Sequence, residues 1–166
     1  MVSKTNFFNK ILLRYFFLVL ILFVIDRITK FLIIQKFLTE KNQEIVINNF
    51  VNFVLVWNQG VGFGLFPIES FKVYTIISVL IFLVNIWLII WFFKSNKLSE
   101  KLFIAIILGG SLGNLVDRIY YRSVPDFIDL HYGNFHWFTF NFADISITIG
   151  ILGLLLSEFI KKNEKN

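Results

Sequence analysis

Residues 102–118 read LFIAIILGGSLGNLVDR. The first half is apolar, the middle is glycine-rich, and the end is polar. Fifteen or so apolar residues are few for a membrane crossing, which takes about 20. The polar end must therefore lie at, or slightly within, one membrane face. Gly109, Gly110, Ser111 and Gly113 let a neighbouring helix backbone approach closely. Asn114 and Arg118 are four apart and share a helix face, while Asp117 is offset from it. A helix C-terminus favouring Arg118 through its dipole is the plain reading. Three polar groups closing a short apolar span ask for more.

The rest of the chain has the same solvent. Of 166 residues, 57% are hydrophobic and 16% charged, against roughly 25% charged in soluble domains. This excludes a disordered chain and argues against a soluble globular one. Three further apolar runs cover about residues 11–38, 71–93 and 142–160, giving four expected spans with 102–118. The first is too long for a signal-peptide core and lacks a small-residue cleavage site, so it is expected as an uncleaved signal anchor. Lys4, Lys10 and Arg14, then Lys94, Lys97 and Lys101, then Lys161, Lys162 and Lys165 fall on one side of a four-span chain. The positive-inside rule makes that side, with both termini, cytoplasmic. The +5 net charge is thus a topology signal, and no nucleic-acid partner is expected. With no cysteine, disulfides, thiolate catalysis and cysteine metal sites are excluded, as is a cysteine-anchored lipoprotein.

The outer connections are unusual. Residues 44–57, EIVINNFVNFVLVW, are rich in β-branched and aromatic residues. Gly60, Gly62, Gly64 and Pro67 follow as breakers. A small β region over about 44–66 is expected on the outer face. The other outer connection lies within 119–140, and a lid is expected over Tyr120 to Pro125 or in the Asn58 to Pro67 region.

Ionisable groups within apolar segments are costly and usually face protein or a water-filled site. Asp26 and Lys30 share a helix face, which reads as a salt bridge, with Arg27 snorkelling outward. Asn141 and Asp144 have the spacing of a helix cap and its third-position acid. Asp126 sits between Pro125 and Phe127, with Asp129 three residues on. His131 and His136 read as interfacial residues, since their spacing fits no recognised zinc motif. The alternating spans draw Lys30, Asn114, Arg118, Asp126, Asn141 and Asp144 toward the outer face. Acids and amides there, without cysteine or an evident Ser–Lys pair, favour aspartic peptidase chemistry. Two adjacent carboxylates share a proton, one acting as base and the other as acid.

Five ordered segments complete the picture: DRITK at 26–30, NQGVGF at 58–63, GNLVDR at 113–118, VPDF at 124–127 and FNFAD at 140–144. In these the chain resembles the bacterial lipoprotein signal peptidases, the type II signal peptidases, over nearly its whole length. The resemblance implies a single membrane all-α domain over 1–166: a four-transmembrane-helix bundle with a small extracytoplasmic β-cradle. It implies Asp126 and Asp144 as the catalytic dyad. Asp26, Lys30, Asn58, Gly60, Asn114, Arg118 and Asn141 would support the site and the substrate backbone. Asp117 and Asp129 are expected as structural support. The implied substrates are diacylglyceryl-modified prolipoproteins, cut before the lipidated cysteine at the outer face of the bacterial cytoplasmic (inner) membrane. The implied inhibitors are globomycin-type cyclic peptides, and no metal or other cofactor is implied. Membrane phospholipids are the expected surroundings, and the expected state is a monomer. Gly62 and Pro125 depart from the commoner family residues without removing a catalytic group. A small ion-coupled transporter and a non-catalytic assembly subunit are the rival readings. The first predicts polar groups spread across membrane depth, the second tolerance of Asp126→Asn.

Overall fold

The computed structural model of the chain describes residues 4–40, 44–60 and 71–163. The expectations for Gly62, Gly64 and Pro67, for a lid there, and for Lys165 lie outside the described residues. Four helices and four strands follow in the order α1 (Lys4–Glu40), β1 (Ile45–Val46), β2 (Val51–Asn58), α2 (Phe71–Lys94), α3 (Leu98–Tyr121), β3 (Val124–Tyr132), β4 (Phe135–Phe140) and α4 (Phe142–Asn163).

The glycine-rich helix is the centre. Most of the apolar stretch of α3 is buried, whereas few residues of α2 and α4 are. It packs on α4, α1 and α2. The reason is in its small residues. A Cβ on Gly110 would run into the Ala143 carbonyl of α4, and one on Gly113 into the Asp26 carboxylate of α1. Backbones this close leave no room for side chains. Toward the other end of α3, Ile104, Ala105, Ile107 and Leu108 pack with Leu88 and Phe92 of α2.

The outward faces are apolar. Phe16, Phe17 and Ile21 on α1, Ile76, Leu80 and Trp87 on α2, and Leu155, Leu156 and Phe159 on α4 are all exposed. In water such a surface would associate. Helices α2, α3 and α4 are long and apolar enough to cross a membrane. Helix α1 is longer, but Arg14, Asp26, Arg27 and Lys30 interrupt its apolar run.

The strands form one antiparallel sheet in the order β1-β2-β3-β4. Here the expectation for 119–140 needs correcting. Tyr120 and Tyr121 finish α3, and Val124 and Pro125 begin β3, so the expected lid residues belong to a helix and a strand. Half of the sheet comes from a segment in which no strand was expected. Proline masked it, because an interior strand cannot spare an N–H. The register resolves this: Pro125 pairs with Trp57 of β2, while β4 joins β3 only from Ile128 onward. Pro125 thus has an open side. The β3–β4 turn has two residues, with Gly133 at its first central position and φ 58°, where such hairpins require glycine. Arg122, at φ 57°, ends α3 in the left-handed conformation.

Candidate active site

Helix α1, helix α3, the end of β2, the start of β3 and the start of α4 converge on one polar cluster. Asp26 and Lys30 come from α1, and Asn114, Asp117 and Arg118 from α3. Asn58 ends β2, Asp126 lies in β3, and Asn141 and Asp144 open α4. The sequence expected most of these to gather, and the structure brings them together.

One part of the cluster is a balanced charge network. Lys30 Nζ donates to Asp117 Oδ2 at 2.7 Å and lies 3.0 Å from Asp26 Oδ2. Arg27 is not outward-facing as expected. Its Nη1 donates to Asp117 Oδ1 at 2.5 Å, and its Nη2 to Asp117 Oδ2 at 2.7 Å and Asp26 Oδ2 at 2.9 Å. Snorkelling loses here because a fully buried Asp117 offers a planar, two-pronged acceptor that matches guanidinium. Asp26 Oδ1 also accepts from the Ala143 N–H, fastening α1 to the start of α4. Two cations meet two carboxylates, so no buried charge in this network lacks an opposite one.

The other part holds two carboxylates among amides. Asp126, 2% exposed, accepts from Asn58 Nδ2 at 2.8 Å on one oxygen and from Asn141 Nδ2 at 2.6 Å on the other. Asp144 accepts from Asn114 Nδ2 at 2.8 Å and from the Asn141 N–H at 3.1 Å. Asp144 N in turn donates to Asn141 Oδ1 at 3.1 Å. This is a reciprocal helix cap, as the spacing predicted. Asn141 therefore touches both acids: its amide nitrogen holds Asp126, and its amide oxygen and backbone N–H hold Asp144. The Asn114 amide is oriented from behind, because Lys30 Nζ donates to its Oδ1 at 2.7 Å. The NH₂ group must then face Asp144. Burial, and next the facing Asp144 carboxylate, push the Asp126 carboxyl up to about 7, against the pull of Asn58, Asn141 and Lys30. Near neutral pH Asp126 is thus poised to hold or release a proton.

Both acids line a cavity of about 310 Å³ together with Asn58, Asn114, Arg118 and Ser111. Apart from Thr148, its remaining walls are apolar, including Ile81, Val84, Ile147 and Ile151. Arg118 Nη2 donates to the Gly60 carbonyl at 2.7 Å, and Gly60 N donates to Asn58 Oδ1 at 2.8 Å. Tyr74 anchors the Arg118 carbonyl at 2.8 Å. Arg118 Nε and Nη1 are buried without partners among the described residues. Unspent donors beside a cavity are suited to an incoming carbonyl.

Some contributors were not singled out from the sequence. Asn85 of α2 donates to Ser111 Oγ at 2.9 Å, fixing a hydroxyl that lines the cavity. An amide inside the most apolar helix was the signal for it. Tyr74 gave none. Asp129 bonds His136 Nδ1 at 2.7 Å, and no hydrogen bond joins it to the two acids among the described residues.

A family profile described as signal peptidase (SPase) II matches residues 18–160. The lipoprotein signal peptidase of Pelagibacter ubique (strain HTCC1062) is 45% identical over 166 residues, spanning 95% of this chain and 99% of that one. The lipoprotein signal peptidase of Anaplasma phagocytophilum (strain HZ) is 34% identical over 148 residues, spanning 88% and 92%. A solved structure described as a bacterial membrane enzyme superposes with TM-score 0.75 at 25% identity, covering 92% of each chain. A second one so described gives TM-score 0.68 at 27% identity, covering 87% of this chain and 91% of that one.

Proposed function

The chain belongs to the signal peptidase II family, and we propose how its residues divide the work. As a lipoprotein signal peptidase it is a multi-pass membrane protease that removes signal peptides from prolipoproteins. Asp126 and Asp144 are the catalytic dyad of our reading. The observation that carries it is their joint tethering by Asn141 in a cavity that both line.

Asp144 is the base. Two donors and the first turn of α4 favour its anion. It takes a proton from a water molecule, whose oxygen attacks the scissile carbonyl carbon. Asp126 donates its proton to the carbonyl oxygen, giving a tetrahedral diol. Collapse breaks the C–N bond as the proton on Asp144 passes to the leaving amine. The diol proton returns to Asp126. The pair titrates as a unit.

Signal peptides are apolar helices, and the cleaved stretch must unwind in a setting where unpaired backbone is costly. Arg118 Nε and Nη1 would receive a substrate carbonyl, while Gly60 and Asn58 hold the strand end beside it. Asp26, Lys30, Asn114 and Asn141 position the dyad. Asp117 and Asp129 have structural roles. The diacylglyceryl chains of the substrate would remain among membrane phospholipids against the apolar helix faces, placing the modified cysteine at the interface. A globomycin-type cyclic peptide would occupy the same cavity.

We count α1 as a fourth span. Its buried charges face Asp117, not lipid, and 37 residues at about 1.5 Å each exceed a hydrocarbon core of roughly 30 Å. Lysine and arginine placement then puts both termini in the cytoplasm and the sheet outside. The chain is one domain over 1–166, a monomer in the bacterial inner membrane.

The test is a gel shift with purified protein in detergent and a diacylglyceryl-modified prolipoprotein. Cleavage before the lipidated cysteine is expected from wild type, and none from folded Asp126→Asn or Asp144→Asn. Unlipidated substrate should be spared. Cleavage retained in either variant removes the dyad assignment. Vesicle ion flux without cleavage would instead favour a transporter.

A further inference from the structure

The β3–β4 hairpin gathers a second polar group that the peptidase chemistry does not use. Asp129 and His131 are two residues apart on β3 and so point to one face of the sheet. His136 lies directly across from His131 in the strand register. The imidazole rings stack with centroids 5.4 Å apart and planes inclined by 23°. Asp129 Oδ2 lies 2.7 Å from His136 Nδ1 and 3.9 Å from His131 Nδ1. One ligand atom from each residue falls within 4.8 Å of the other two.

A hydrogen-bonded Asp–His pair accounts for Asp129 and His136. It leaves His131 unexplained. His131 Nδ1 is buried and has no hydrogen-bond partner among the described residues. A buried ring nitrogen in this state is costly, and native proteins seldom carry one without a use. Its neighbours are a second imidazole and a carboxylate, not an unrelated backbone group.

We propose that Asp129, His131 and His136 bind one divalent transition-metal ion of the zinc class. Two imidazoles and one carboxylate suit such ions, whereas calcium and magnesium prefer oxygen sets. Ligand bonds of about 2.0–2.2 Å place donor atoms roughly 3–3.5 Å apart. The 3.9 Å gap must close by a few tenths of an ångström, and the 2.7 Å gap must open. His136 is half exposed, while Asp129 is nearly buried and sets the position. For His136 to bind the ion through Nδ1, its neutral ring carries its proton on Nε2, and the Asp129 oxygen that faced Nδ1 turns to the ion. Water completes the coordination from the open side of His136. Both Asp126 oxygens are already held by Asn58 and Asn141, so the ion takes no part in peptide hydrolysis. Its role is a clamp that pins β3 to β4 three residues beyond Asp126.

The experiment titrates Zn²⁺ into the full-length, tag-free chain in detergent near neutral pH, followed by calorimetry. One equivalent is expected to bind. Affinity should fall at least ~tenfold in His131→Gln and in His136→Gln, while both variants still cleave prolipoprotein without added metal. Asp126→Asn should bind Zn²⁺ as wild type does. Amide exchange at residues 131–136 should slow when Zn²⁺ is bound. Absence of binding by wild type overturns the proposal, as does equal binding by the histidine variants. Binding lost in Asp126→Asn instead would move the ion to the dyad and also overturn it. Should the histidine variants fail to fold, Cu²⁺ on the wild-type chain decides. Nitrogen splitting from two imidazoles in its electron paramagnetic resonance spectrum supports the site, and all-oxygen ligation overturns it.

Discussion

Two sets of buried carboxylates lie side by side in this protein and have opposite fates. Asp26 and Asp117 meet Arg27 and Lys30 at contact distance. Asp126 and Asp144 meet amides. Amides orient a carboxylate without supplying a full opposite charge. The first set works as a bracket between α1 and α3. In the second, burial and the facing Asp144 carboxylate push the Asp126 carboxyl up to about 7. Asn114 links the two, with its oxygen on Lys30 and its nitrogen on Asp144. The charged set thereby orients the amide that faces Asp144.

The contrast can be broken by removing one charge from each set. Asp126→Asn or Asp144→Asn should lower prolipoprotein cleavage by about 10³-fold or more while the fold persists. Cleavage rates beside a thermal melt in detergent check this. Asp117→Asn should do the reverse and strike stability first. It leaves Arg27 and Lys30 sharing one carboxylate, and losing a buried partner costs about 3–5 kcal/mol. A melt that does not move would mean the bracket is dispensable.

Packing gives a smaller effect. Gly113→Ala places a methyl group on the Asp26 carboxylate, and overpacking of this kind costs about 1–3 kcal/mol. Gly133→Ala meets nothing within 4 Å. It should cost about 1–2 kcal/mol through its positive φ alone. Denaturant titration of both variants separates crowding from backbone strain.

Acidity sharpens the contrast further. The folded-state position of Asp126 lies above its unfolded one, so the folded chain binds more protons between them. Its stabilising contribution is full below the ordinary carboxylate range and is lost as pH rises through about 7. Asp126→Asn should abolish that slope. Under the proposed mechanism, cleavage should decline over the same alkaline limb as Asp126 loses its proton. Asn58→Ala removes a donor that favours the Asp126 anion. It should shift the limb to higher pH, the smallest of these effects, read from a rate–pH profile.

Much of the site was legible because lipid makes polar residues conspicuous. Lys30, Asn114, Asn141 and Asp144 stand out in apolar runs, and a buried charge is rarely idle. Arg27 was misjudged because a long basic side chain near an interface usually reaches for water. The paired DR motifs at 26–27 and 117–118 were the available clue, but nothing local says that two helices bring them together. The strands at 124–140 were hidden by Pro125, whose tolerance depends on where β4 begins.

The chain alone determined the solvent, the helices and the identity of the polar groups. Those follow from local composition, since each residue's preference for lipid or water is its own. The tertiary structure decided which acid keeps a counter-ion, which way the Asn114 amide points, and that Asp129, His131 and His136 share one face. Partnership is a property of pairs distant in sequence. Only backbones drawn together by Gly110 and Gly113, and a register set by a two-residue turn, can choose them.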